Sequence, residues 1–257
     1  MKTDAGNFHF ELSLAELRWL AGAFSISRLP LPDETIGGRA FSQLELEQKN
    51  GHASLLTRGL VHASPSFGWQ VDRLPAAIIH WLASAQSMLR LEYISKSGTT
   101  RRMHVFTVGE KGMCVEMNDE SAHFILCDTR ITCIGSVIQW LELFPTIKKA
   151  EKNYQLPQPQ IFLPAAWKKP KLTEPMLKTA GIQAKVKETI SWVKSLEILA
   201  TISTIQLDER EFKYVRQFVF CADKKFTWVG NGEDVSKIVS FVPMTIKELT
   251  ATINNSF

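Results

Sequence analysis

Residues 105–141 can be laid over residues 218–254 without a gap, and their turns and apolar runs then coincide. Lys111 lands on Lys224, Asn118 on Asn231, Glu120 on Glu233, Ile125 on Ile238 and Thr132 on Thr245. The shared order of hairpin turn, strand, turn, strand and helix constrains the chain more than these identities do. It predicts an α+β fold, with antiparallel meander sheets flanked by helices in two pseudo-symmetric halves. A duplication of this kind suits a scaffold that presents a broad binding surface.

The pattern divides the chain into an N-terminal half over 1–143, a proline-rich connector over 144–175 and a C-terminal half over 176–257. A strand from Phe8 to Leu12 runs into a helix whose start carries a capping box, Ser13 with Glu16. A second box, Ser42 with Glu45, opens a polar helix to about Thr57, in which Gly51 costs about 1 kcal/mol relative to alanine. Asp72 is placed to cap a third helix through Leu82. From Met88 the period becomes two, the alternation of strands: Leu89, Leu91 and Tyr93 interleave with Arg90 and Glu92. Four strands to Cys127 and a helix from Ile131 to Leu141 make a meander closed by a helix.

The connector holds Pro145, Pro157, Pro159, Pro164, Pro170 and Pro175, which leaves few backbone donors for regular structure. Beyond it the plan recurs: a helix from about Thr173 to Val193, four strands between Leu196 and Val242, and a final helix with Pro243 at its start. Edge-to-edge joining of the two meanders is favoured, because separate four-stranded sheets would each leave two exposed edges.

The chain has 257 residues, 45% of them hydrophobic, enough for a sizeable core. With 22% charged residues and a net charge of +4, its mild positive excess is too small to argue for nucleic acid on its own, and no nucleic acid is expected. No window approaches the roughly 18 apolar residues that cross a bilayer, and the first ten residues do not read as a secretory signal. A cytoplasmic protein without membrane insertion is expected. Cys114, Cys127, Cys133 and Cys221 form no CxxC pair and read as buried free thiols. A zinc set of Cys114, Cys127, His104 and His123 lacks the close paired spacing of structural sites, so core residues are the expectation.

Phosphate-cradling glycine loops, the nucleophile elbow and the helical zinc pair are all missing from the sequence. His9, His52, His62, His80, His104 and His123 are dispersed and read as structural or surface residues. No catalytic residue, cofactor or metal is assigned. Trp19, Trp81, Trp140 and Trp192 sit among apolar neighbours and read as core, whereas Trp69, Trp167 and Trp228 leave a partner role open. Phe212, Tyr214, Arg216 and Phe218 alternate along one strand and would share a face.

Two short segments carry a family resemblance. Leu12-Ser13-Leu14-Ala15-Glu16-Leu17, followed by Leu55-Leu56-Thr57-Arg58-Gly59-Leu60-Val61 and a helix rich in Ala and Ile, is similar to the opening of EspG-like proteins, the cytosolic chaperones of type VII (ESX) secretion systems. The resemblance implies a quasi-two-fold α+β fold and a non-enzymatic chaperone that binds a helical secreted protein as a monomer or weak dimer. It also implies binding through sheet loops and the C-terminal helical region. By position these are Lys96, Arg101 and Arg102 in one hairpin, Leu207, Asp208 and Glu209 in its counterpart, and Met244 and Leu249 at the final helix. The alternatives are a transcription regulator that puts its N-terminal helices on DNA, and an enzyme with no recognisable motif.

Overall fold

The computed structural model describes residues 3–4, 7–26, 29–30, 41–66, 68–118, 120–142, 150–182, 185–207, 212–231 and 237–255. In chain order the first half comprises β1 (Thr3–Asp4), β2 (Asn7–Ser13), α1 (Leu14–Ala23), α2 (Phe41–Thr57), β3 (Val61–Ser64), β4 (Gly68–Val71), α3 (Arg73–Ser84), β5 (Ser87–Ser95), β6 (Thr100–Val108), β7 (Lys111–Met117), β8 (Ser121–Cys127) and α4 (Arg130–Trp140). There follow β9 (Tyr154–Pro157), α5 (Pro159–Lys168), a 3-10 turn (Pro170–Leu172), α6 (Thr173–Thr179), α7 (Val186–Ser195), β10 (Ile198–Leu207), β11 (Phe212–Ala222), β12 (Thr227–Asn231), β13 (Ile238–Met244) and α8 (Ile246–Asn254).

Eleven strands form one antiparallel sheet in the order β1-β2-β8-β7-β6-β5-β10-β11-β12-β13-β9, and β3 and β4 make a separate hairpin. The order is a palindrome about the β5–β10 junction once the short β1 is set aside. The two meanders therefore do join edge to edge, burying two strand edges that would otherwise stand open. Leu91 of β5 faces Ile202 of β10. Each lies the same distance beyond an extended helix C-cap, Ala85 after α3 and Leu196 after α7, so the local two-fold passes between them.

The pairing register defines which positions correspond, and it differs from the gapless sequence overlay. Leu91 pairs with Met103 as Ile202 pairs with Phe218, and Val105 pairs with Cys114 as Phe220 pairs with Val229. The equivalent of Thr245 is then Thr129, not Thr132: both are N-caps that accept from the backbone three residues on. Small differences in turn length shift the overlay by a few residues without changing the order of elements. The topological unit also starts earlier than the sequence repeat, since β9 and α5 stand to β13 as β2 and α1 stand to β8.

Each face of the sheet has its own cover. On one face α4 and α8 pack over Leu89, Leu91, Tyr93, Ile198, Ala200 and Ile202. On the other, α1–α3 cover Met88, Phe106, Val115 and Phe124 at one wing, while α5–α7 cover Leu199, Val219, Trp228 and Phe241 at the second. Between those two packs no helix covers the central strands, and Arg90 and Glu92 stay part-exposed there while Thr201 and Ser203 are buried among their neighbours. That is why β5 keeps the alternation of a one-sided strand although it lies mid-sheet.

Three local expectations change. The helix predicted over Thr173 to Val193 is two helices, with Gly181 at φ 80° after the first and Lys185 at φ 59° before the second. Pro243 lies in β13 opposite Trp228, and Thr245 caps the last helix in a capping box with Glu248. Asp72 occupies the N-cap of α3 but makes no side-chain cap; its carboxylate meets His62 Nε2 at 3.2 Å. In the described part of 144–175, strand and helix predominate despite the prolines: Pro159 sits in the first turn of α5, where a missing N–H costs nothing, and Pro164 is carried inside the same helix.

Candidate functional site

The residues singled out from the sequence do not converge. Lys96 lies in the β5–β6 turn, where its ammonium donates to the Lys194 carbonyl at 2.6 Å and stands 3.9 Å from Glu197. Leu207 ends β10 at the other end of the central strands, with its N–H on the Gln86 carbonyl at 2.8 Å. The ten residues of β10 separate the two hairpins by roughly 30 Å at about 3.3 Å per residue. Asp208 and Glu209 lie outside the described residues.

Arg101 serves the fold. It donates to Glu116 and Glu142, each at 2.9 Å, and its guanidinium stands over the Trp140 ring at 4.9 Å, fastening β6 to the end of α4. Arg102 approaches Glu92 at 4.0 Å. Leu249 is fully buried in the core beneath α8 and Met244 packs against that core, so neither is presented as a free apolar surface. The expected alignment of Tyr214 with Arg216 and Phe218 also fails. A bulge makes Arg216 oppose Thr204 and Tyr214 oppose Ile205, and consecutive partners point to opposite faces.

Three cavities stand out. Between the helical packs, Arg90, Glu92, Ser203, Tyr214, Val215, Arg216 and Gln217 line about 450 Å³ over the central strands. Four of its polar groups are paired with one another: Arg90 bonds Glu92 at 2.6 Å, and Gln217 donates to Ser203 at 3.0 Å. A second, of about 590 Å³, holds Tyr154, Trp192 and Trp228, where Tyr154 stacks on Trp192 at 4.2 Å and Lys152 reaches Glu188 at 3.2 Å.

The third, also about 590 Å³, is the most apolar. Pro157, Ile161, Phe162, Pro175, Met176 and Ile238 line it between α5, α6 and the β13–β9 end of the sheet. Ile161 is 65% exposed and Ile238 46% exposed, so this groove offers hydrocarbon to solvent. Sequence reading missed it because Ile161 and Ile238 are far apart in the chain and meet only when β13 pairs with β9. Neither histidine nor cysteine lines any of the three cavities.

The N-terminal helices make a poor phosphate surface. Arg18 is paired with Glu47, and Arg58 with the buried Glu16. Among the described residues no helix is long and apolar enough to cross a membrane. Trp228 is buried and Trp167 packs into the α5–α7 core, while Trp69 is 46% exposed with its ring edge on His52 at 4.2 Å.

No family model matches the sequence, and no curated protein matches it either. Among solved structures the chain is similar to the type VII secretion system chaperone EspG5 of Mycobacterium tuberculosis, determined in complex with the PE25–PPE41 dimer. The likeness has a TM-score of 0.64 at 9% sequence identity and covers 97% of this chain and 95% of that one. It establishes a common fold over nearly the full length of both chains.

Proposed function

We propose that this chain is a non-enzymatic chaperone or adaptor of a type VII-like export system, acting in the cytoplasm on a helical protein substrate. The observation that carries the reading is the fold shared with EspG5, a chaperone seen holding a protein dimer, over 97% of the chain. An exposed apolar groove supports it. Covering an apolar segment of a client keeps that segment from aggregating before export. In this reading Ile161, Met176 and Ile238 take the client's apolar side chains, and the hairpin residues Lys96 and Leu207, with Asp208 and Glu209, contribute only if the client spans the sheet. The division into halves at 1–143 and 176–257 belongs to the same proposal, with β9 and α5 of the 144–175 connector completing the second half's side of the joined sheet.

The test is co-expression with small helical secretion substrates encoded beside the gene, followed by size-exclusion chromatography. Co-elution of one substrate at fixed stoichiometry supports the reading. If every neighbouring substrate elutes alone, the reading fails.

A further inference from the structure

Beneath α4, three cysteines from separate elements meet: Cys114 in β7, Cys127 at the end of β8 and Cys133 in α4. Their sulfurs all lie within 4.8 Å of one another, and Cys114 Sγ stands 3.3 Å from Cys133 Sγ. All three residues are buried. His104 and His123, paired with two of them in the sequence-based zinc set, are not in the group. His104 pairs with Val115, which packs on the opposite face of the sheet from Cys114.

The duplicated fold shows that thiols are not needed here for packing. By the pairing register two of these positions in the second half are Val229 and Met244, and Leu249, four residues past the N-cap Thr245 as Cys133 is past Thr129, is the third; they close the corresponding corner under α8. One further difference accompanies the cysteines. Gly112 pairs with Cys127 where Thr227 pairs with Met244, and a Cβ at Gly112 would fall 2.6 Å from Cys133 Sγ. A bare backbone at that point lets α4 bring Cys133 down onto β7.

Positive and polar groups lie beside the trio. Cys133 sits in the first turns of α4, near the positive end of the helix dipole, with Arg130 at the helix start. The Ser136 hydroxyl lies 3.9 Å from Cys127 Sγ.

We propose that Cys114, Cys127 and Cys133 form a binding site for a thiophilic d10 metal ion, Cu⁺ or Zn²⁺. Thiolates select such ions over Mg²⁺ or Ca²⁺. Three sulfurs at about 2.3 Å from a common centre are about 3.8–4.0 Å apart, within the range already spanned by this trio. Each coordinated thiol gives up its proton to solvent as the metal–sulfur bond forms. Cu⁺ is satisfied by the three sulfurs alone, whereas Zn²⁺ takes a water as fourth ligand, with Ser136 as its neighbour.

The experiment titrates the full chain, reduced and freed of metal under anaerobic conditions, with Cu⁺ against a chromophoric Cu⁺ chelator and, separately, with Zn²⁺ against a zinc indicator. One ion per chain is expected, with a sulfur-to-metal charge-transfer band in the near ultraviolet for the copper arm. Cys127→Ser should weaken binding by about 100-fold or more, because it removes a direct ligand. Cys221→Ser, altering a cysteine on the opposite face, should leave binding unchanged. The triple variant Cys114→Val, Cys127→Met, Cys133→Leu carries the second half's residues and should bind no ion while keeping the circular dichroism of the parent. The proposal is overturned if the parent binds neither ion more tightly than Cys127→Ser does, or if the reduced protein binds none and instead forms a Cys114–Cys133 disulfide on exposure to air.

Discussion

Arg58 Nη1 donates to Glu16 Oε2 at 2.7 Å, which joins the two short segments that carry the family resemblance. Glu16 is only 1% exposed, yet it also accepts from the Ser13 backbone N–H and the Ser54 hydroxyl, each at 2.8 Å. One carboxylate thus caps α1, ties α2 to it and holds the chain where it leaves α2 for β3. Arg58→Ala leaves that charge buried and short of its cation, and should cost about 3 kcal/mol in urea unfolding. Arg58→Lys should recover only part, since Arg58 Nη2 also reaches the Glu11 carbonyl at 2.9 Å and one ammonium cannot copy that fork.

Gly51 lies inside α2, where helix propensity favours alanine by about 1 kcal/mol. The packing reverses the sign. A Cβ there would fall 2.2 Å from the Ala15 carbonyl oxygen of α1, and a backbone atom cannot swing aside. Gly51→Ala should therefore destabilise by about 1–3 kcal/mol, the range for overpacking, measured by chemical denaturation. A stabilised variant would mean that α1 and α2 do not cross this closely.

His104 is fully buried, and burial first, then the charges of Arg90 and Arg102, pushes its pKa down to about 3. Its folded pKa lies below the ordinary value of 6.5, so between pH 6.5 and 3 the unfolded chain binds a proton that the folded one refuses. Above pH 6.5 the residue is neutral in both states and has no effect. As pH falls below 6.5, stability should drop by at most about 1.4 kcal/mol per unit from this group. The check is a series of denaturation midpoints from pH 7 to pH 4 for the parent and His104→Gln. The variant should show the shallower fall.

At the apolar groove, Ile161→Asp and Ile238→Asp each place a carboxylate at an exposed position that touches little of the core. Either should shift the melting temperature by no more than a few degrees, because surface changes of this kind usually stay within about 0.5 kcal/mol. Loss of client co-elution by either variant, at least tenfold in affinity, is expected if the groove receives the client. Retention of full affinity in both would move the binding surface elsewhere on the sheet.

Local rules read well where one segment decides the outcome. Ser13 with Glu16 is a capping box as expected, and the strands of the first meander begin and end close to their turn residues. They read poorly wherever a partner strand supplies the answer. Asp72 satisfies the N-cap pattern but spends its carboxylate on His62, a residue brought over by the β3–β4 hairpin. Tyr214 and Arg216 alternate in sequence but are separated by a bulge that only the register with β10 reveals. The candidate contacts scattered for the same reason: equivalent hairpins of two halves related by a two-fold axis lie at opposite ends of the shared strands.

By itself, then, the sequence determined the kinds of elements, their order and their duplication, because turn residues, caps and periodicity act over a few neighbouring positions. Tertiary structure decided what those elements face. Leu91 against Ile202 makes two meanders one sheet. Ile161 beside Ile238 opens an apolar groove. Cys114, Cys127 and Cys133 gather under α4 while their counterparts Val229, Met244 and Leu249 stay hydrocarbon and thioether. Each of these meetings depends on strand register, and a change of one residue in register would turn every side chain to the other face.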